Sequence, residues 1–384
     1  MPFDFATAGR IRFGEGAVRE VPRAAASFGA RALVVTGSSP ERAGRLCAEL
    51  RAEGVEAVPF AVAGEPTLEL VRQGTALGRE RRTDVVIAFG GGSAIDAGKA
   101  LAALLPNTGD VLDYLEVVGR GLPLEHPSAP FIAVPTTAGT GSEVTRNAVL
   151  ASPEHKVKAS LRSPFMLPKL AVIDPELTYE LPPGVTAATG LDALTQLIEP
   201  YVSVRANEMT DMFCRDGIRR AAAALPRAFR DGHDRDARRD MAFAALLGGL
   251  ALANAGLGAV HGFAAPVGGM FPAPHGAVCA ALLPHAMTTN IRALRGRAPG
   301  SVALARYAEI ARMLTGREEA QAEESAGRVG EIVRALEVPG LGAYGVREAD
   351  VPVLVEKAAQ ASSMKGNPIV LSPEELTAIL TSAL

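Results

Sequence analysis

Apolar residues along this chain follow two different rhythms, and the change between them falls near residue 180. Before it, short runs rich in β-branched residues recur at 32–36, 55–62, 84–89, 131–134 and 170–173. Between them lie stretches with helical spacing, among them 41–53 and 67–81. Such alternation predicts a parallel sheet with crossover helices. After Pro182 and Pro183 the strand-like runs stop, and alanine- and leucine-rich helical stretches take over at 209–224, 240–253, 302–314 and 320–336. The expected architecture is an α/β domain over residues 1–180 and an all-α domain over residues 181–384. No repeat at a fixed period interrupts this plan.

Composition narrows the class. A chain of 384 residues with 48% hydrophobic and 21% charged content can bury large cores and readily forms two domains. A net charge of -3 with no long Lys/Arg run argues against a nucleic-acid partner. The first twelve residues hold Asp4, Arg10 and Arg12 with no apolar core. Later apolar stretches are too short to span a bilayer or are broken by glycine and proline, so no membrane association and a cytoplasmic location are expected. Cys47, Cys214 and Cys279 are far apart and lack CxxC spacing, which predicts reduced, mostly buried thiols.

Two turns in the first half carry chemistry. The apolar run 84–89 leads directly into Gly90-Gly91-Gly92-Ser93 and then a helix start containing Asp96 and Lys99. Strand, glycine turn and helix N-terminus together form a phosphate cradle, because glycine allows close approach and the first amide N–H groups favour an anion. The turn is neither a GxGxxG fingerprint nor a Walker motif. A second turn, Pro135-Thr136-Thr137-Ala138-Gly139-Thr140-Gly141-Ser142, offers hydroxyl donors after another short strand. Gly91, Gly92, Ser93, Asp96, Thr136, Thr137, Thr140 and Ser142 are therefore candidate cofactor contacts.

The second half carries metal-ligand residue types. Asp192 and Gln196 stand at helical spacing, and His261 and His275 flank a stretch rich in glycine and proline. One carboxylate and two imidazoles suit a divalent cation with a position left for a substrate oxygen. The alternative for Asp192 is a helix cap after Gly190, and for Glu199 a packing role. His126, His155, His233 and His285 read as hydrogen-bonded structural groups.

In order, Gly90-Gly91-Gly92-Ser93 with Asp96 and Lys99, the PTTAGTGSEVT run from Pro135, Gly190-Leu191-Asp192-Ala193-Leu194, His261 and Pro274-His275-Gly276 resemble the iron-containing (group III) alcohol dehydrogenases. The resemblance spans nearly the whole chain. It implies an N-terminal dinucleotide-binding domain, a helical metal domain, and a divalent metal, Fe(II) or Zn(II), on Asp192, Gln196, His261 and His275. The family pattern has a histidine where this chain has Gln196, and many members have one where it has Ala265. Lys158 matches a cofactor-side lysine, and a homodimer is implied. Many NAD-preferring relatives carry an aspartate at the place of Gly37; with Gly37, Ser38 and Ser39 there instead, NADP is favoured over NAD. The serines could equally cap a helix near Glu41.

The implied reaction is hydride transfer between a small alcohol or aldehyde and NAD(P), with His275 or solvent handling the proton. Rival readings are a maleylacetate reductase-type enzyme working without metal, a lyase of the dehydroquinate-synthase type, and a non-catalytic cofactor-binding protein.

Overall fold

A computed structural model describes residues 2–384. The chain gathers into two compact units: an α/β unit of residues 6–137 and 141–178, and a helical unit of residues 2–5, 138–140 and 179–384.

In the α/β unit the strands are β1 (Ile11–Phe13), β2 (Arg31–Thr36), β3 (Glu56–Ala61), β4 (Val85–Gly90), β5 (Phe131–Pro135), β6 (Asn147–Ser152), β7 (Val157–Arg162) and β8 (Leu170–Ile173). The helices among them are α1 (Val21–Ala26), α2 (Gly44–Ala52), α3 (Leu68–Glu80), α4 (Gly92–Leu104) and the single turn α5 (Val111–Tyr114). A parallel sheet runs in the order β1-β8-β5-β4-β2-β3. Both of its faces are covered, which is why its strands read as continuous apolar runs. Leu33, Val35, Val86 and Ala88 pack with Val71 of α3 and Leu101 of α4. Ala32, Val34, Val85 and Ile87 point the other way, onto Leu46 and Leu50 of α2. Burying each of the larger side chains stabilises the sheet by about 1.5–3 kcal/mol.

The strand order reverses beside β2, which pairs with β3 on one side and β4 on the other. In open parallel sheets ligands bind at the carboxyl ends of strands at such a reversal. Gly37, Ser38 and Ser39 follow β2, and Gly91, Gly92 and Ser93 follow β4. Both turns therefore leave the sheet where its topology favours a nucleotide.

Three details depart from the periodicity. The helix expected over 41–53 is split into a 3-10 turn, Pro40–Ala43, and α2. β1 is a short edge strand. β6 and β7 form a separate antiparallel hairpin, and the alternating burial of β6 is the period-2 signature of a strand with one face covered.

The helical unit contains α6 (Pro183–Val202), α7 (Glu208–Arg230), α8 (Arg235–Ala255), α9 (Ala259–Met270), α10 (His275–Arg297), α11 (Val302–Thr315), α12 (Ala322–Ala335), α13 (Val351–Gln360) and α14 (Pro373–Ser382). Asn207, Asp234, Ser301 and Ser372 accept backbone N–H groups at the starts of α7, α8, α11 and α14. Proline at the first position starts α6, and α7, α8 and α10 pack around it. Every residue of α6 from Gly190 to Val202 is buried. Asp192 thus lies deep inside a helix that began at Pro183, and it caps nothing. Among the described residues, no single helix is long and apolar enough to cross a membrane.

The remaining histidines are mostly at the surface. His126, His155 and His233 are exposed, and His155 shares a 2.7 Å hydrogen bond with Ser152 in the hairpin turn. Only His285, half-buried in α10, resembles a histidine of a helical core.

Candidate metal centre and cofactor turns

Three helices of the helical unit bring together side chains that are far apart in sequence. α6 supplies Asp192, α9 supplies His261 near its start, and α10 supplies His275 and Cys279, one turn apart on one face. The close approach of α10 to α6 depends on Gly276, where a Cβ would lie 2.2 Å from the Ala188 carbonyl oxygen. That contact leaves no room for a side chain, and it fixes the start of α10 beside Asp192.

Asp192 Oδ1 stands 3.6 Å from His261 Nε2 and 3.6 Å from His275 Nε2. Both distances exceed hydrogen-bond range. Oδ1 is buried with no hydrogen-bond partner, and so is Gln196 Oε1. A buried oxygen left unpaired costs about 1–3 kcal/mol, more when it is charged. A cation among these groups removes that cost, so the residues fit a divalent metal. Cys279 Sγ closes the cluster, and one donor atom from each of Asp192, His261, His275 and Cys279 lies within 4.8 Å of the others.

Electrostatics agree with the geometry. Burial raises the Asp192 carboxyl, but the His275 and His261 imidazoles and the Gln196 amide outweigh it and hold the group below the usual carboxylate range. Burial disfavours a proton on His275, yet Cys279 and Asp192 prevail and push it up to about 8. His261 is raised in the same way, against its own burial, by Cys279, Asp192 and Glu199. Protons and a metal ion compete for these nitrogens. His275 keeps 34% of its side chain exposed, against 7% for His261 and 2% for Asp192. Its side of the cluster is the one open to solvent.

Glu199 does more than pack. Its Oε2 accepts a 2.6 Å hydrogen bond from His261 Nδ1, and its Oε1 accepts one of 2.7 Å from the Val260 backbone N–H. The first bond fixes the tautomer and leaves Nε2 as a lone-pair donor facing Asp192. The signal in the sequence is that Glu199 lies two helical turns after Asp192. Cys279 likewise lies one turn after His275, a spacing masked by the thiol's ordinary role as a core residue.

In the α/β unit the two glycine and hydroxyl turns sit side by side. β4 and β5 pair through Gly90 and Pro135, and the Thr136 N–H donates to the Gly90 carbonyl at 2.9 Å. No side chain caps the start of α4 at Gly91, so the amides of Gly92 and Ser93 begin the helix uncapped. Thr137 lies against this turn, 3.4 Å from where a Cβ on Gly91 would be. Thr140 belongs with residues 138–140 to the helical unit.

Asp96 and Ser142 are bonded to one another. Asp96 Oδ1 accepts from Ser142 Oγ and lies 3.2 Å from Lys99 Nζ, while Oδ2 accepts from the Val149 N–H at 2.9 Å. The fully buried Lys99 also donates to the Ser142 carbonyl at 3.0 Å, to Thr145 Oγ1 at 2.8 Å and to the Asn147 carbonyl. This network shapes the loop that carries Thr136 and Thr137. Lys158 is paired with Glu65 at 2.8 Å, and Arg162 with Glu116 at 3.1 Å. Of the three cations that a phosphate- and carboxylate-binding lyase would draw together, Arg162, Arg146 and Lys158, two are engaged with carboxylates and Arg146 is exposed. At the β2 turn Ser38 and Ser39 are exposed, Ser39 makes no side-chain cap, and a Cβ on Gly37 would meet nothing within 4 Å.

A parallel sheet with glycine turns at its reversal and a buried carboxylate–imidazole cluster are the parts of a nucleotide-linked metal oxidoreductase. The chain belongs to the iron-containing alcohol dehydrogenase family: residues 8–175 match "Iron-containing alcohol dehydrogenase" and residues 186–384 match "Fe-containing alcohol dehydrogenase family, C-terminal". Alcohol dehydrogenase 4 of Schizosaccharomyces pombe is 40% identical over 83% of this chain and 73% of its own length. The NAD-dependent methanol dehydrogenase of Bacillus methanolicus is 33% identical over 97% of each chain. The solved alcohol dehydrogenase from Oenococcus oeni superposes with a TM-score of 0.91 at 32% identity, covering 100% of both chains.

Proposed function

We propose that this chain is a metal-dependent alcohol dehydrogenase and aldehyde reductase that moves a hydride between a small alcohol and a nicotinamide dinucleotide. The observation that carries the reading is the buried, unpaired Asp192 Oδ1 facing two imidazole nitrogens at 3.6 Å. Asp192, His261 and His275 hold the cation, and Gln196 supports the Asp192 carboxylate from one turn further along α6. When bound, the metal supplies Lewis acidity at the alcohol or carbonyl oxygen. Glu199 fixes the His261 tautomer, and the partly exposed His275 marks the side from which substrate enters. Gly91, Gly92, Ser93, Thr136 and Thr137 receive the cofactor at the ends of β4 and β5.

NADP is favoured over NAD in this reading, because the β2 turn has no carboxylate to repel a 2′-phosphate and offers the exposed hydroxyls of Ser38 and Ser39. The Bacillus methanolicus relative uses NAD, so the cofactor is tested directly by measuring binding constants for both dinucleotides.

The test of the whole reading is elemental analysis of protein purified without added metal, paired with a panel of alcohols and aldehydes. Stoichiometric metal and activity that falls with its removal are expected. Undiminished turnover after complete chelation, above all on an acidic substrate, would point instead to a maleylacetate reductase-type enzyme, a reading that Gln196 in place of a histidine favours.

A further inference from the structure

The structure assigns Cys279 Sγ as the fourth protein ligand of the metal site, making it a carboxylate, bis-imidazole and thiolate centre. This inference rests on the metal-dependent reading above and names a donor in the place for which the family resemblance implied Gln196. Cys279 is fully buried in the first turns of α10, with Sγ 3.7 Å from His275 Nε2 and 3.9 Å from His261 Nε2. Asp192 Oδ1 is 3.6 Å from each of the same two nitrogens. Zinc bonds of about 2.0–2.3 Å at tetrahedral angles place neighbouring donor atoms about 3.3–3.6 Å apart. Four of the six donor pairs therefore lie within a few tenths of an ångström of the required spacing, and all six lie within 4.8 Å.

Three further observations select the sulfur. The Nδ1 of His261 is held by Glu199, so its Nε2 lone pair faces Asp192 and the sulfur. Asp192 Oδ1 is 2% exposed as a residue, has no hydrogen bond, and points at the same space. The Gln196 amide is hydrogen-bonded to Asp192, whereas the sulfur faces both imidazole nitrogens. The thiol gives up its proton to solvent as the sulfur–metal bond forms. A sulfur donor also shifts the preference from the harder Fe(II) towards Zn(II) and Co(II).

The test uses the full-length protein, stripped with a chelator and titrated with Co(II). Visible d–d bands report cobalt in the site, and an intense near-ultraviolet thiolate-to-cobalt band is expected to rise in parallel with them to one equivalent. In Cys279→Ser the d–d bands remain while the thiolate band is lost. X-ray absorption at the zinc edge of the zinc-loaded wild type gives one sulfur at about 2.3 Å. Wild-type d–d bands without a thiolate band, or a thiolate band that survives in Cys279→Ser, overturn the assignment and leave the metal site standing. No cobalt bands at all overturn both the assignment and the metal-dependent reading beneath it.

Discussion

Glu199 Oε2 accepts a 2.6 Å hydrogen bond from Nδ1 of His261, joining α6 to the start of α9 across 62 positions of sequence. The same carboxylate receives the Val260 N–H through its other oxygen. One residue therefore sets the position of a helix start and the orientation of the imidazole two residues inside it. A carboxylate behind a ligand histidine also increases that ligand's basicity.

Glu199→Gln keeps the shape but exchanges a charged acceptor for a neutral amide. Metal affinity is expected to fall roughly tenfold to a hundredfold, the usual effect of losing such a partner. Competition with a chromophoric chelator measures it. Unchanged affinity in a folded variant assigns Glu199 to packing alone.

His261→Ala removes a nitrogen from the cluster and is expected to abolish stoichiometric metal and most activity. The circular dichroism spectrum should remain that of the wild type, because the other helix-packing contacts of α9 stay in place. Elemental analysis gives the answer, and full metal content in this variant defeats the ligand assignment.

Gly37→Asp introduces a carboxylate at the end of β2, where a Cβ meets no atom within 4 Å. The fold should accept it. Beside a 2′-phosphate the added charge costs about 1–3 kcal/mol, or roughly a tenfold to hundredfold loss in NADP affinity. Fluorescence titrations with NADP and NAD should show the two constants crossing or converging. A ratio that does not move shows that this turn does not read the 2′ position.

The features legible in the sequence are those encoded locally. β2, β4, β5 and β8 stand out because strands covered on both faces are apolar at successive positions. The β6–β7 hairpin was obscured because its half-buried alternation differs from the rhythm of the main sheet. In the helical unit, motif order pointed to Asp192, His261 and His275, and the fold does bring them together. Glu199 and Cys279 stayed hidden for a different reason: each resembles an ordinary helix residue until tertiary contact places it against an imidazole. The pairing of Asp96 with Ser142 is equally non-local, joining a helix start to a loop 46 positions away.

Glu143, in the loop held by Lys99 and Asp96, gives the chain a pH-dependent stability. Burial pushes its carboxyl up to about 7 from an ordinary 4.5, against the pull of Lys99. Between those values the folded protein binds more protons than the unfolded chain, so stability falls as pH rises. The contribution is fully present below about 4.5, is lost as pH climbs through 7, and changes little above that. For a fully buried carboxyl this shift corresponds to a loss on the order of 3 kcal/mol between the two limits. Glu143→Gln cannot ionise and should escape the loss. Urea unfolding at pH 5 and pH 8 should then show the variant gaining about 2–3 kcal/mol relative to wild type at the higher pH. An identical difference at both pH values would show that Glu143 keeps an ordinary pKa and that its burial is already compensated.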